Sequence, residues 1–249
     1  MKWQDKGIVV SLKKYGENSL ILNLFTENHG LHAGLVKYSN SKKNRSVFQI
    51  GNIFNIEWTG RLEDQLGYYK TEIENTISHY IINNHLKIDA LITQTSLINK
   101  LLADRQVHSS LFLETLNFIF CINKNEKFWI EKYIKWELKF LSELGFGLDL
   151  NNCAVTGSTN NLQFVSPKSG RAVSLNGAGK WKKKLFPLPN FFLTKNINNH
   201  DKSELLKGIN ITTYFLNQYV SSIGLKLPDI RDRFTNKLLN LNEYSKSDN

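Results

Sequence analysis

Cysteine is scarce in this chain: Cys121 and Cys153 are the two in 249 residues. Two thiols cannot form a disulfide framework, and neither stands in a metal-ligand pair spacing, which fits a reducing cytoplasm. No uninterrupted apolar run approaches the ~18–20 residues that span a bilayer. The opening Met1-Lys2-Trp3-Gln4-Asp5 lacks the apolar core of a secretory signal. Catalytic motifs are missing too. There is no Gly-x-Ser-x-Gly elbow, no His-Glu-x-x-His and no convincing pair of carboxylates at helical spacing. Gly177-Ala178-Gly179-Lys180 looks like the end of a phosphate-binding loop, but Ser174 occupies the leading-glycine position and Trp181 replaces the required Ser or Thr. Acidic residues are scattered, which argues against a metal-dependent enzyme. These absences lead to the expectation of a soluble, cytoplasmic, non-enzymatic binding protein without a cofactor.

What is present is positive charge, unevenly placed. The chain carries 32 Lys and Arg against 22 Asp and Glu, a net of +10, which favours a polyanionic partner. Residues 1–50 hold eight basic and three acidic residues, residues 51–80 two and five, and residues 165–210 nine and two. Abundant Asn, Lys and Ile suggest an AT-rich genome, which raises lysine content irrespective of function. The patchiness is therefore more informative than the total.

Five strand-like runs open the chain: Gly7–Lys13, Ser19–Thr26, Leu31–Lys37, Ile53–Thr59 and Gly67–Glu74. Tyr15-Gly16-Glu17-Asn18 reads as a turn, and Glu27-Asn28-His29-Gly30 as a hairpin connection. Five antiparallel strands in about eighty residues can close into an OB-fold or an SH3-like barrel, and periodicity does not choose between them. After the third strand comes a polar stretch with Lys37, Tyr38, Lys42, Lys43 and Arg45 and no acidic residue. Such a loop suits a phosphate backbone and a stackable base, or is simply solvated. His29 and His32 have no cysteine or carboxylate beside them in sequence and read as turn and strand residues rather than metal ligands.

From about Ser78 the apolar period changes to 3.6, so residues 1–78 and 79–249 read as two domains. Helices are expected over Asp89–Leu102, with Asp89 as N-cap, and over Ser109–Asn123, Phe128–Leu144 and Asp201–Ser222. Pro228 begins a C-terminal segment with Arg231 and Arg233, and the polar residues after Leu241 are expected to fray. In the Phe128–Leu144 helix, Trp129, Tyr133, Trp136, Phe140 and Leu144 form one stripe, and Gly145 ends the helix. Lys132, Lys135 and Lys139 lie beside Trp136 and Phe140. That arrangement could receive an acidic peptide with an apolar end, or belong to a core helix with a solvated lysine face. Residues 151–176 read as a hairpin-like knuckle. Lys180, Lys182, Lys183 and Lys184 then surround Trp181, suited to phosphate contact or to solvation.

Taken in order, Gly7-Ile8-Val9-Val10, Tyr15-Gly16-Glu17-Asn18-Ser19-Leu20-Ile21-Leu22 and Phe25-Thr26-Glu27-Asn28-His29-Gly30 closely resemble the N-terminus of the RecO family of bacterial recombination mediators. The stretch through Arg45-Ser46 and the later Leu144-Gly145-Phe146 and Cys153-Ala154-Val155-Thr156-Gly157 are similar as well. The resemblance implies an α+β protein, with an N-terminal five-stranded OB-fold followed by a mostly helical domain. It implies single- and double-stranded DNA binding, strand annealing, and recombinase loading with RecR onto strands coated by single-strand-binding protein, whose acidic C-terminal tail is a further partner. Carried over by position, Lys37, Lys42, Lys43 and Arg45 become DNA contacts, with Lys13, Lys14 and Tyr38 near them. Lys180, Lys182 and Lys183 are added by their chemistry. Lys132, Lys135, Trp136, Lys139 and Phe140 are the candidate tail site, also by chemistry. An alternative is a docking adaptor whose basic surfaces take acidic tails.

One departure from the family is plain. Many members carry a four-cysteine zinc knuckle, whereas this chain keeps Cys153, has Thr156 at the next position, and has no cysteine around Gly170-Arg171-Ala172-Val173. One thiolate cannot hold structural zinc. The expectation is a metal-free knuckle held by turns, with Phe164 and Val173 packed inward.

Overall fold

A computed structural model describes residues 1–37, 47–62, 65–194 and 201–240. By packing, the chain divides into Met1–Asn125 and Glu126–Asn249.

The first unit begins with β1 (Lys2–Tyr15), β2 (Ser19–Thr26), β3 (Gly30–Lys37), β4 (Ile53–Thr59) and β5 (Tyr68–Asn75). They close a barrel in the order β1-β2-β3-β5-β4. β1 starts five residues earlier than its apolar run implies, because polar Lys2–Lys6 pair with Thr59–Asn55 of β4. Its second half pairs with β2, and an irregularity between Val9 and Ser11 lets one strand serve both neighbours. Closure comes from a parallel bridge between Leu35 and Tyr68, reinforced by the Leu35 amide donating to the Gly67 carbonyl at 3.0 Å. Gly34 permits it, since a Cβ there would sit 2.5 Å from the Tyr69 ring. The barrel core is Val9, Leu20, Leu22, Leu24, Val36, Phe54, Ile56, Trp58 and Tyr69. The alternation of these residues along each strand is what a half-buried strand requires. β5 departs from it: of Tyr69, Thr71 and Ile73, only Tyr69 is buried, and Ile73 is 40% exposed.

Helices α1 (His79–Ile82), α2 (His85–Leu101) and α3 (Ser109–Asn123) belong to this unit, so the boundary set by packing lies at Asn125 rather than at 78. Polar ties explain the association. Asn52 Oδ1 accepts from the Ile77 amide at 2.9 Å, Asn23 donates to Asn99 at 2.7 Å, and Ser109 donates to the Glu27 carbonyl at 3.0 Å. α2 begins earlier than expected. Asn84, not Asp89, is its N-cap and accepts from the Leu86 and Lys87 amides, while Asp89 is buried inside the helix. In its first turn, His85-Leu86-Lys87-Ile88, Leu86 and Ile88 are only partly buried.

The second unit contains α4 (Trp129–Glu143), a three-stranded sheet ordered β7 (Ala172–Ser174), β6 (Leu162–Val165), β8 (Phe186–Pro187), a short α5 (Leu175–Ala178), and α6 (Lys202–Ser222) and α7 (Asp229–Leu239). α4 is central as its stripe implies, with Tyr133, Ile134, Trp136, Phe140 and Leu141 at 0–1% exposure. Within this core sits an ion pair. Arg231 Nε donates to Glu137 Oε1 at 2.9 Å and Arg231 Nη2 to Oε2 at 3.0 Å. Tyr133 and Thr212 hydroxyls donate to the same carboxylate at 2.8 and 2.5 Å. Both charges are fully buried, and the extra hydrogen bonds are what make such burial tolerable. Beside the carboxylate, burial and the negative charge push the Tyr133 phenol well above its ordinary pKa.

Candidate nucleic-acid interface

On the barrel, strand pairing assembles the candidate surface. Tyr15, Ser19 and Lys37 lie opposite one another across β1, β2 and β3. The neighbouring row on the same face is Lys13, Ile21 and Leu35, and Leu35 bridges to Tyr68 of β5. Residues two apart share a face, so Lys13, Tyr15, Lys37 and Tyr68 stand on the outer side of three adjoining strands and the closing one. Tyr15 is 56% exposed and Tyr68 57%. Lys14 pairs with Leu20, a core residue, so it belongs to the opposite face, exposed where the strand runs past the barrel's end. Among the described residues no carboxylate pairs with Lys13, Lys14 or Lys37. Tyr38, Lys42, Lys43 and Arg45 lie outside the described residues.

Two residues join this face that sequence reasoning left out of the site. Tyr15 reads as a turn residue and Tyr68 as one side of the fifth strand. The available signal was an aromatic at a strand end next to lysines.

The second unit offers a separate basic surface. Lys180, Lys182 and Lys183 lie in the 3-10 segment Gly179–Lys184, all exposed and without a carboxylate partner among the described residues. Lys180 and Lys184 place their ammonium groups 5.5 and 5.2 Å from the Trp181 ring, and Lys182 sits 5.7 Å from that of Phe164.

The expected peptide-tail site is not assembled. Trp136 and Phe140 are 1% and 0% exposed and belong to the core, so neither offers the lysines an apolar receptor. The lysines themselves are neutralised: Lys132 pairs with Glu126 at 2.6 Å, Lys135 with Glu131 at 2.7 Å and Lys139 with Glu143 at 2.8 Å. The alternation of Glu and Lys along α4, Glu131 to Lys135 and Lys139 to Glu143, carried that information in the sequence.

His29 and His32 are structural. His29 Nδ1 lies 2.7 Å from the buried carboxylate of Asp5, and its ring stacks on Trp3 at 3.9 Å. His32 is held by Tyr69, whose hydroxyl lies 3.0 Å from its Nδ1. Burial, with a smaller contribution from Arg105, lowers its pKa to about 4. Burial also raises the Tyr69 phenol well above its ordinary value.

The knuckle does not fit a zinc ion. Cys153 Sγ accepts from the Ser174 amide at 3.2 Å, the Ser174 hydroxyl at 3.3 Å and the Thr156 amide at 3.4 Å. Burial raises this thiol's pKa, but those hydrogen bonds outweigh it and bring it down to about 6. Among the described residues no group of three His, Cys, Asp or Glu could hold a metal ion. Phe164, Val173 and Ala178 pack with Cys153 into a small core instead, with Leu162 and Leu185 against it.

The class that these features define is a closed barrel whose outer face carries lysines unpaired among the described residues beside exposed tyrosines, followed by a helical unit with a second basic surface. Comparison with known proteins makes this specific. Residues 1–77 match the model of the Recombination protein O N-terminal domain, and residues 92–228 that of the C-terminal domain. A DNA repair protein RecO from Wolbachia sp. subsp. Drosophila simulans is 38% identical over 237 residues, covering 93% of this chain and 98% of that protein. Those of Rickettsia bellii and Roseobacter denitrificans are 37% and 35% identical, over 96% and 94% of this chain and 97% of each relative. The chain belongs to the RecO family of DNA repair proteins. This is a repair and recombination family, not one known for enzymes. No helix among the described residues is long and apolar enough to cross a membrane.

Proposed function

We propose that this protein is a DNA-binding recombination mediator that anneals complementary strands and, with RecR, helps load the recombinase onto strands coated by single-strand-binding protein. The barrel is read as an OB-fold, in which the β2–β3 face and adjoining loops take nucleic acid. The observation that carries the reading is the outer barrel face, where Lys13 and Lys37 flank Tyr15 and Tyr68 with no acidic partner among the described residues. Lysines already paired, as on α4, would exchange one partner for another on binding DNA. Unpaired lysines replace condensed counterions at each phosphate, and that release drives affinity. Annealing follows from the same charge, because neutralising two strands removes the repulsion that opposes their pairing. The acidic tail of single-strand-binding protein remains a proposed partner, at a site other than the buried Trp136 and Phe140.

The test is an anisotropy titration of a labelled single-stranded oligonucleotide at several salt concentrations, with and without excess acidic tail peptide. Binding that weakens steeply with salt and survives the peptide supports the mediator with separate sites. No binding at low salt leaves a docking adaptor in its place.

A further inference from the structure

One large apolar side chain is displayed where core packing does not require it. Of the five tryptophans, Trp58, Trp136 and Trp129 are buried, Trp3 is half-buried in a ring stack, and Trp181 is 55% exposed. The backbone holds it there. Ala178 is buried in the knuckle core, Gly179 turns the chain at φ +44°, and Leu185 returns to pack against the same core. The 3-10 segment between them is thus anchored at both ends and presents the indole with the Lys180 and Lys184 ammonium groups beside it.

We propose that Trp181 is a stacking platform for one unpaired base of a single-stranded nucleic acid, with the flanking lysines taking the phosphates on either side. This rests on the DNA-binding reading and adds to it a preference for strand form. Magnitudes decide which partner the ring prefers. An ammonium over an exposed ring is worth about two- to fivefold in affinity. A base stacked on an aromatic is worth about five- to 150-fold. Lys180 and Lys184 both lie near the ring, and the base displaces whichever covers the face it takes, whose ammonium swings to the adjacent phosphate and keeps its charge contact. In a duplex the base faces are already covered by their neighbours, so only the lysines engage, and phosphate contacts alone do not distinguish strands by sequence.

The experiment uses the full chain with a single-stranded oligonucleotide and a duplex of the same sequence, read by anisotropy and by intrinsic tryptophan emission. Single strand should quench emission, since Trp181 is the exposed indole. Trp181→Ala should weaken single-strand binding about five- to 150-fold while changing duplex affinity less than about twofold, and Trp181→Phe should fall between. The quench needs no substitution, so it holds even if a variant folds poorly. Single-strand affinity that is unchanged, or that falls no more than duplex affinity, overturns the platform and leaves DNA binding standing. Quenching by an acidic peptide and not by oligonucleotide assigns the ring to a protein partner and also overturns it. Failure of the wild type to bind either nucleic acid at low salt removes both this proposal and the reading beneath it.

Discussion

Arg231→Met tests the buried pair at the centre of the second unit. Methionine fills much of the arginine's volume, so the main loss is electrostatic. It removes both bonds to Glu137, the 3.0 Å bond to Thr213 and the bond to Thr235. Removing one partner of a buried pair costs about 3–5 kcal/mol. Here Tyr133 and Thr212 still donate to the stranded carboxylate, which places the expected cost near the lower end, about 3 kcal/mol. Urea unfolding should be followed through a probe local to α4, such as Trp129 and Trp136, because a chain of two units need not unfold in one step. With a urea slope of about 1–3 kcal/mol/M, the midpoint of that transition drops by roughly 1–3 M. A companion Glu137→Leu/Arg231→Met double variant should recover much of the loss. A cost below about 1 kcal/mol would refute the reasoning.

Lys13→Glu with Lys37→Glu should lower the salt dependence of single-strand binding by about 0.7 in log–log slope for each phosphate no longer neutralised; an unchanged slope removes the barrel face from the site. The folded-state pKa of His32, about 4 against an ordinary 6.5, means the unfolded chain protonates first. Its contribution to stability is therefore complete above pH 6.5 and lost as pH falls toward 4. Comparing His32→Asn with wild type across that window should show a shallower decline in the variant, and parallel curves would contradict the assignment. Prolonged chelation should leave the knuckle's melting transition where it was, since Cys153 is engaged by Ser174 and Thr156 rather than by a metal; a large drop, or one zinc per chain by elemental analysis, would show a structural metal.

Alternation and period carried much of this protein in plain view. Ser19–Thr26 and Ile53–Thr59 show side chains alternating between core and solvent, and the observed strands have those bounds. Ser109–Asn123 is likewise the observed α3. The stripe from Trp129 to Phe140 marked the central helix of the second unit, because a 3.6 period leaves one face to be buried. Phe164 and Val173 pack in the knuckle core, as expected of a knuckle without its four cysteines. What period could not report was the fate of polar groups. Lys2–Lys6 are strand because β4 lies alongside them, which a local pattern does not contain, and the choice of Asn84 over Asp89 as N-cap of α2 rests on which side chain meets the Leu86 and Lys87 amides.

The candidate sites divide the same way. The sequence determined which stretches were rich in lysine and aromatic residues, since composition is local. Tertiary structure decided which barrel lysines stand beside rings: pairing across strands set Lys13 and Lys37, unpaired among the described residues, beside Tyr15 and Tyr68, whereas local helical spacing already gave Lys135 and Lys139 to Glu131 and Glu143. The aromatic half of each expected surface followed packing as well, which buried Trp136 and Phe140 and exposed Trp181. The physical reason is that charge and ring contact act through space over a few ångströms, and the fold, rather than the order of residues, sets those distances.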